Sequence, residues 1–131
     1  MKPLIDTNVV SELMRREPDP RVYAWAIQHS SFHLSVVALE ELVFGLTKRA
    51  LPLKRQWLDG FLEAQCDILP VTPGIASASG QLRGSLSARG QMRTAADMLI
   101  AATALIHGLP LATRNTSDFA GIGLTLIDPF V

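Results

Sequence analysis

Residues 94–113, TAADMLIAATALIHGLPLAT, contain the clearest helix of the chain and the strand that follows it. Apolar residues recur at helical spacing over residues 94–107, which predicts a helix with one broad apolar face. Gly108 stands where a helix C-cap is expected, and residues 109–113 form a short apolar strand after it. The apolar face consists of Leu99, Ile100, Ala102, Thr103 and Ile106.

Short apolar strands separated by helices recur along the rest of the chain. Strands are predicted at residues 4–5, 32–36, 68–71, 109–113 and 124–127. This alternation indicates an α/β fold with a central, mostly parallel five-stranded sheet and helices on both faces. Because 131 residues suffice for one domain and no linker interrupts them, we expect a single domain over residues 1–131.

Composition excludes several classes of protein. Twelve basic residues balance 12 acidic ones, which argues against a protein that coats nucleic acid but not against an enzyme that acts on it. No apolar run reaches the roughly 18 residues of a membrane span, and the stretch MKPLID (1–6) meets a charge too soon for a signal peptide. The single cysteine, Cys66, excludes an intramolecular disulfide. We therefore expect a soluble, cytoplasmic protein.

Four acidic residues stand at positions where the predicted sheet would bring them together. Asp6 ends the first strand, Glu41 lies on the helix after the second, Asp97 opens the helix before the fourth, and Asp118 follows the fourth. Sites in parallel sheets lie beyond the carboxyl ends of the strands, at a switch point of the strand order. Clustered carboxylates repel one another unless a cation binds them, and their oxygens suit Mg²⁺ or Mn²⁺.

Each acid also has an ordinary structural interpretation. Asp6 could cap the first helix, Asp97 could form a capping box with Thr94, Glu41 could be a solvated helix residue, and Asp118 could form a turn. The convergence of all four at one edge of the sheet favours a metal site. Basic side chains of the second half are interpreted singly as solvated surface. They are Arg83, Arg89, Arg93 and Arg114.

Four short segments resemble the PIN-domain family and, more narrowly, VapC-like ribonuclease toxins of toxin–antitoxin pairs. They are LIDTNV (4–9), ELVFG (41–45), ADMLIAATA (96–104) and TRNTSDF (113–119). The resemblance implies a PIN domain acting as an Mg²⁺- or Mn²⁺-dependent endoribonuclease, a hydrolase of RNA phosphodiester bonds. It also implies a homodimer and inhibition by a cognate antitoxin protein.

Carried over from the family, the three core acids match Asp6, Glu41 and Asp97. The family's second acid stands four positions before a glycine, which selects Glu41 rather than its neighbour Glu40. Asp6 and Asp97 are then expected to be the principal metal ligands.

The fourth acid has two candidate positions. Some relatives place it directly after the Thr-Arg pair, where this chain has Asn115, and others place it before the Phe, where this chain has Asp118. We favour Asp118, which would complete the outer shell with Glu41 or help to hold a second metal ion. The number of ions stays open.

Further polar residues near the acids are expected to orient them or to contact substrate. Arg114 is the candidate for a phosphate contact, with a surface ion pair as the alternative. The remaining candidates are Thr7, Asn8, Thr113 and Asn115.

The same sequence is compatible with two alternative functions, and it also favours a homodimer. The chain could be a catalytically silent PIN-like binding module, or a PIN-type DNA nuclease that uses the same metal chemistry. Large aromatic residues on predicted helix surfaces favour a homodimer, because in a monomer they would form an apolar patch exposed to water. These residues are Tyr23, Trp25, Trp57 and Phe61.

Overall fold

Five short parallel strands form the centre of the computed structural model, which describes residues 2–131. The sheet order is β3-β2-β1-β4-β5, and every neighbouring pair is parallel. The predicted α/β class with a five-stranded sheet is confirmed. The strands are β1 (Leu4–Ile5), β2 (Phe32–Ser35), β3 (Cys66–Leu69), β4 (Leu111–Ala112) and β5 (Leu126–Ile127).

Helices connect the strands and cover both faces of the sheet. Leu4 and Ile5 are adjacent in β1 and so point to opposite faces, yet both are completely buried. The helices are α1 (Thr7–Leu13), α2 (Pro20–Ala26), α3 (Val36–Lys48), α4 (Pro52–Gln65), α5 (Pro73–Ala88) and α6 (Ala95–His107). A single-turn 3₁₀ helix, Thr116–Phe119, lies between β4 and β5.

The strand boundaries differ from the predicted ones, most clearly in β3. This strand begins at Cys66 rather than at Ile68, because its pairing with β2 starts at Phe32 opposite Cys66. β3 is an edge strand and its Asp67 is exposed. The first residues of the strand therefore do not form the continuous apolar run on which the prediction relied. β4 and β5 are each shorter than the apolar stretches that contain them.

The strand order reverses between β1 and β4, which are neighbours although most of the chain separates them. Ile5 is paired with Ala112, so the next residues along the two strands, Asp6 and Thr113, leave the sheet side by side. Parallel sheets open a crevice at such a switch point. The fold therefore places the first acid and the TRNTSDF segment at the same edge.

The middle of helix α6 is buried, as its long apolar run predicts, whereas its last turn is exposed. It contacts α5 and α3, and Met98, Ile100, Ala101 and Ala104 are buried in the core or almost so. The helix predicted over residues 94–107 is confirmed, but its buried face differs from the predicted one: Met98, Ala101 and Ala104 are buried, whereas Leu99 is half-buried and Ile106 is 52% exposed. No helix within residues 2–131 has both the length and the apolar character needed to cross a membrane.

Gly108 ends α6 in the left-handed conformation, with φ 64° and ψ 37°, and its backbone N–H donates to the Ala104 and Leu105 carbonyls. We expect Gly108→Ala to lower the free energy of unfolding by about 1 kcal/mol, because a Cβ is strained at this φ. Gly84→Ala is the matched control. It lies inside α5 with open space around the added Cβ, and should raise stability by about 0.5–1 kcal/mol. Urea denaturation of both variants measures the difference, and equal effects would contradict the assignment.

Candidate active site

Asp6 is the central acid of the site and is almost completely buried, with 3% of its surface exposed. It follows β1 directly and is the N-cap of α1, with an extended backbone. Its Oδ1 atom accepts hydrogen bonds from the Thr7 backbone N–H at 2.8 Å and from the Thr7 hydroxyl at 3.3 Å. The capping and site interpretations of Asp6 are therefore compatible, because the cap fixes the direction of the carboxylate.

The other carboxylate oxygen of Asp6 joins two segments that are distant in sequence. Oδ2 accepts from the Thr113 hydroxyl at 2.8 Å and from the Asn8 amide at 3.3 Å. Asn8 Oδ1 accepts in turn from the Arg114 backbone N–H, and Thr113 Oγ1 from the Asn115 N–H. Thr7, Asn8 and Thr113 thus hold the carboxylate of Asp6, as expected for residues that orient a ligand.

Glu41 lies on α3 on the side that faces the other acids. Burial raises the pKa of the Glu41 carboxyl above its ordinary value, and the negative charges of Asp6 and Asp97 raise it further. Its neighbour Glu40 instead lines a shallow apolar groove on α3, beside Leu39 and Val43. The helix therefore directs the two glutamates differently, and the orientation supports Glu41 as the site residue.

Asp97 lies in the first turn of α6, where Thr94 is the N-cap and its hydroxyl accepts from the Asp97 backbone N–H at 3.1 Å. Burial raises the pKa of the Asp97 carboxyl, and the charge of Asp6 adds to this. Asp118 raises the same pKa, while Thr94 and Arg93 lower it. The negative charges of Asp6 and Asp97 thus destabilise the charged form of Glu41, and the charge of Asp6 destabilises that of Asp97.

The 3₁₀ helix carries Asp118 to the same edge of the sheet. Asp118 is partly buried and acts on the Asp97 carboxyl, whereas Asn115 is exposed. These positions support Asp118 as the fourth acid. A residue that sequence reasoning interpreted as plain surface, Arg93, also belongs here, since its Nε donates to the Asp118 carbonyl at 3.0 Å. Its position four residues before Asp97 is the only signal in the sequence.

Arg114 lies at the rim of the site on an aromatic support. Its guanidinium carbon is 4.8 Å from the ring centroid of Phe130, in cation–π geometry. The ion pairs among residues 2–131 do not include Arg114, so the ion-pair alternative finds no support within the described chain. This contact holds the guanidinium over the ring, at the rim of the site.

The donor set fits a hard divalent cation. Within residues 2–131, no three His, Cys, Asp or Glu side chains converge on a single point as a complete metal site. The acids nevertheless offer oxygen only, and the charges of neighbouring acids add to burial in raising the pKa of Glu41 and Asp97, a repulsion that Mg²⁺ or Mn²⁺ would relieve. Among these acids, Asp6 has its carboxylate held in place by the hydrogen bonds that it accepts from Thr7, Asn8 and Thr113.

A parallel five-stranded sheet with carboxylates gathered at its switch point defines the PIN-fold class of α/β proteins. A family model for the PIN domain matches residues 4–123, so the chain belongs to the PIN domain family. This membership confirms the resemblance of the four sequence segments.

Known relatives match nearly the whole chain. VapC ribonuclease Y4jK from Sinorhizobium fredii is 35% identical, with 97% of this chain and 96% of the relative covered. The crystal structure of FitAcB from Neisseria gonorrhoeae is similar at a TM-score of 0.81 and 33% identity, covering 97% of each chain. A toxin–antitoxin complex from Klebsiella pneumoniae is similar at 0.76 and 29%, covering 98% of each.

Neutral variants of Asp6 and Asp97 should affect the stability of the metal-free protein in opposite directions. The pKa of the Asp97 carboxyl is raised in the folded state. The metal-free protein therefore loses stability as the pH rises through the range in which this carboxyl ionises. Asp97→Asn removes that penalty at pH 7 and should raise the free energy of unfolding. Asp6→Asn should lower the free energy of unfolding by about 1–2 kcal/mol. Both carboxylate oxygens of Asp6 accept hydrogen bonds, so the amide NH₂ that replaces one of them would face a donor.

Urea denaturation with EDTA measures both effects. Asp59→Asn is the control, since Asp59 is exposed and makes only an i,i+4 pair with Arg55 on α4. Its effect should stay below about 0.5 kcal/mol. A destabilised Asp97→Asn variant would show that the favourable contacts of the Asp97 carboxylate outweigh its repulsion by the other acids.

Proposed function

We propose that this protein is a metal-dependent endoribonuclease and the toxin of a toxin–antitoxin pair. The observation that carries the proposal is the set of carboxylates at the β1–β4 switch point, where the charge of Asp6 raises the pKa of both Glu41 and Asp97. The relatives support it, because one is named a VapC ribonuclease and another is a toxin–antitoxin complex. Cytoplasmic location remains a prediction from the sequence.

Each acid has a distinct proposed role. Mg²⁺ or Mn²⁺ bound by Asp6 and Asp97 would supply Lewis-acid activation of water and of the phosphate. Glu41 accepts the proton of the attacking water, and its raised pKa makes it a better base than an ordinary carboxylate. Asp118 adds a fourth carboxylate, whose charge acts on Asp97.

The reaction is hydrolysis of one phosphodiester bond. The water oxygen bonds to phosphorus, the bond from phosphorus to the 3′-oxygen breaks, and the products carry a 5′-phosphate and a 3′-hydroxyl. Arg114 is placed to contact a substrate phosphate, because its guanidinium is held on the Phe130 ring at the rim of the site. Such a contact orients the RNA backbone without reading its sequence.

A comparison of Glu41→Gln with Glu40→Gln tests the enzymatic proposal. Loss of a general base costs roughly 10²–10⁴-fold in rate, so Glu41→Gln should reduce RNA cleavage by that amount. Glu40→Gln should stay within about twofold of wild type, since its side chain faces the α3 groove. The measurement is cleavage of a labelled RNA at saturating Mn²⁺.

The same assay separates the alternatives. Cleavage of single-stranded or duplex DNA at a rate comparable to RNA would favour the DNA nuclease. Mn²⁺ binding without cleavage of any nucleic acid would favour the silent binding module. Equal losses in the two glutamate variants would show that the wrong face of α3 has been assigned.

Two apolar surfaces of the described chain support protein partners. The first is a groove between α2 and α4 that includes Tyr23, Ile27 and Trp57. The second is the α3 groove, where Phe44 is 60% exposed. Exposed apolar surfaces of this kind mark interaction sites, and we propose a second copy of the chain and an antitoxin as the partners.

The aromatic residues expected at the dimer interface divide into two groups. Tyr23 and Trp57 are exposed, by 54% and 37%. Phe61 is buried, and Trp25 is half-buried against His29 and Phe32, so neither can be a main anchor of an interface. The sequence pattern could not separate them because all four occupy apolar helix positions.

We expect the antitoxin to inhibit by placing an arginine among the carboxylates. A guanidinium pairs with carboxylates bidentately and would compete with the metal ion for the same oxygens. Apolar residues beside it would dock in one of the two grooves. The test replaces each antitoxin arginine in turn within the purified complex and measures RNA cleavage. One substitution should restore activity, and a complex that binds Mn²⁺ normally with no sensitive arginine would refute this mode of inhibition.

A further inference from the structure

The guanidinium of Arg93 links two segments that each bring an acid to the site. Its Nε donates to the backbone carbonyl of Asp118 in the 3₁₀ helix, and its Nη1 to the carbonyl of Met92, both at 3.0 Å. Arg93 immediately precedes Thr94, the N-cap of α6, and so lies one turn before Asp97. One side chain thus spans from the start of α6 to the segment that carries Asp118.

The 3₁₀ segment that carries Asp118 is anchored in the core by Phe119, which is 1% exposed, and by hydrogen bonds at its start. Its start is held by Asn8, which accepts from the Arg114 N–H, and by Thr113, which accepts from the Asn115 N–H. Within the described residues 2–131, Asn115 gives the 3₁₀ helix no side-chain cap. The segment is a single turn, which has little stability of its own. The bond from Arg93 is a polar side-chain restraint on Asp118 itself, beside the buried ring of Phe119.

We propose that Arg93 is a positioning residue that fixes Asp118 relative to Asp97. The proposal rests on the proposed function, since it concerns how the acids are arranged for a divalent cation. Arg93 acts through the backbone of Asp118 and does not itself contact substrate. Its positive charge also lies close enough to Asp97 to oppose the repulsion from the other acids.

Geometry and charge can be separated by substitution. Lysine keeps the positive charge but ends in one compact ammonium group, which cannot reproduce a rigid fork donating to two carbonyls. Arg93→Lys therefore tests the bridge alone, and Arg93→Ala removes bridge and charge together. Arg89→Lys and Arg89→Ala are matched controls, because Arg89 is exposed at the C-terminal end of α5.

The first measurement is amide hydrogen exchange of the full-length protein by NMR, without metal. The Asp118 N–H donates to the Asn115 carbonyl within the 3₁₀ turn, so its exchange reports the order of that turn. We expect the Asp118 N–H to exchange about tenfold faster in both Arg93 variants. Exchange there needs only local opening of the turn, and loss of the Arg93 bond makes that opening easier. Exchange in the core of α6 and in both Arg89 variants should be unchanged.

The second measurement is Mn²⁺ affinity by calorimetry, followed by RNA cleavage as a function of Mn²⁺ concentration. Loss of a residue that orients a metal ligand typically costs 10–100-fold in metal affinity, and we expect about tenfold for both Arg93 variants. Cleavage should return to near the wild-type rate at saturating Mn²⁺. A general structural defect would not be restored by metal in this way.

Several outcomes would overturn the proposal. Unchanged Asp118 exchange in both Arg93 variants would show that the bridge does not order the turn. Normal exchange and affinity in Arg93→Lys, with losses only in Arg93→Ala, would show that Arg93 acts by charge alone. If the wild type binds no Mn²⁺ while exchange responds as expected, the proposed function fails and the bridge stands as a purely structural contact. Arg93→Lys keeps the test decisive if Arg93→Ala does not fold.

Discussion

The hydrogen bond from Thr113 to the buried carboxylate of Asp6 is the contact on which the rest of the site depends. It joins residues 107 positions apart and lies where β1 and β4 leave the sheet together. A buried carboxylate is costly unless donors surround it, and here Thr7, Asn8 and Thr113 supply them. The strand pairing brings the donors to Asp6, and their bonds to Asp6 in turn hold the ends of β1 and β4 together.

Helix N-termini reduce the electrostatic cost of gathering acids at one edge. Asp6 caps α1, and Asp97 lies in the first turn of α6, where the positive end of the helix dipole favours a negative charge. The same positions direct both side chains toward the switch point. For Asp97 the compensation is incomplete, because its pKa remains raised by burial and by neighbouring acids. The remaining repulsion supports the proposed binding of a cation at this site.

A chain with zero formal net charge can still act on a polyanion because its charges are distributed locally. The acids meet in one crevice, while Arg93 and Arg114 lie at its edges, held by a carbonyl and an aromatic ring respectively. Exposed apolar surface is likewise concentrated in two places, the α2–α4 groove and the α3 groove. A catalytic crevice and separate partner surfaces are thus compatible on one small domain.

The sequence by itself determined the α/β class, the helix over residues 94–107, its Gly108 cap and the four short segments that identify the PIN family. These features are local, because helical spacing, a cap and a motif are all determined by neighbouring residues. The start of β3 at Cys66, the burial of Phe61 and the contact of Arg93 with Asp118 were decided only by tertiary structure. Each depends on a partner distant in sequence: β2 beside the edge strand, the ring of Phe32, and the carbonyl of Asp118. No pattern within one segment carries such information, because the partner is chosen by the strand order and the packing of the whole domain.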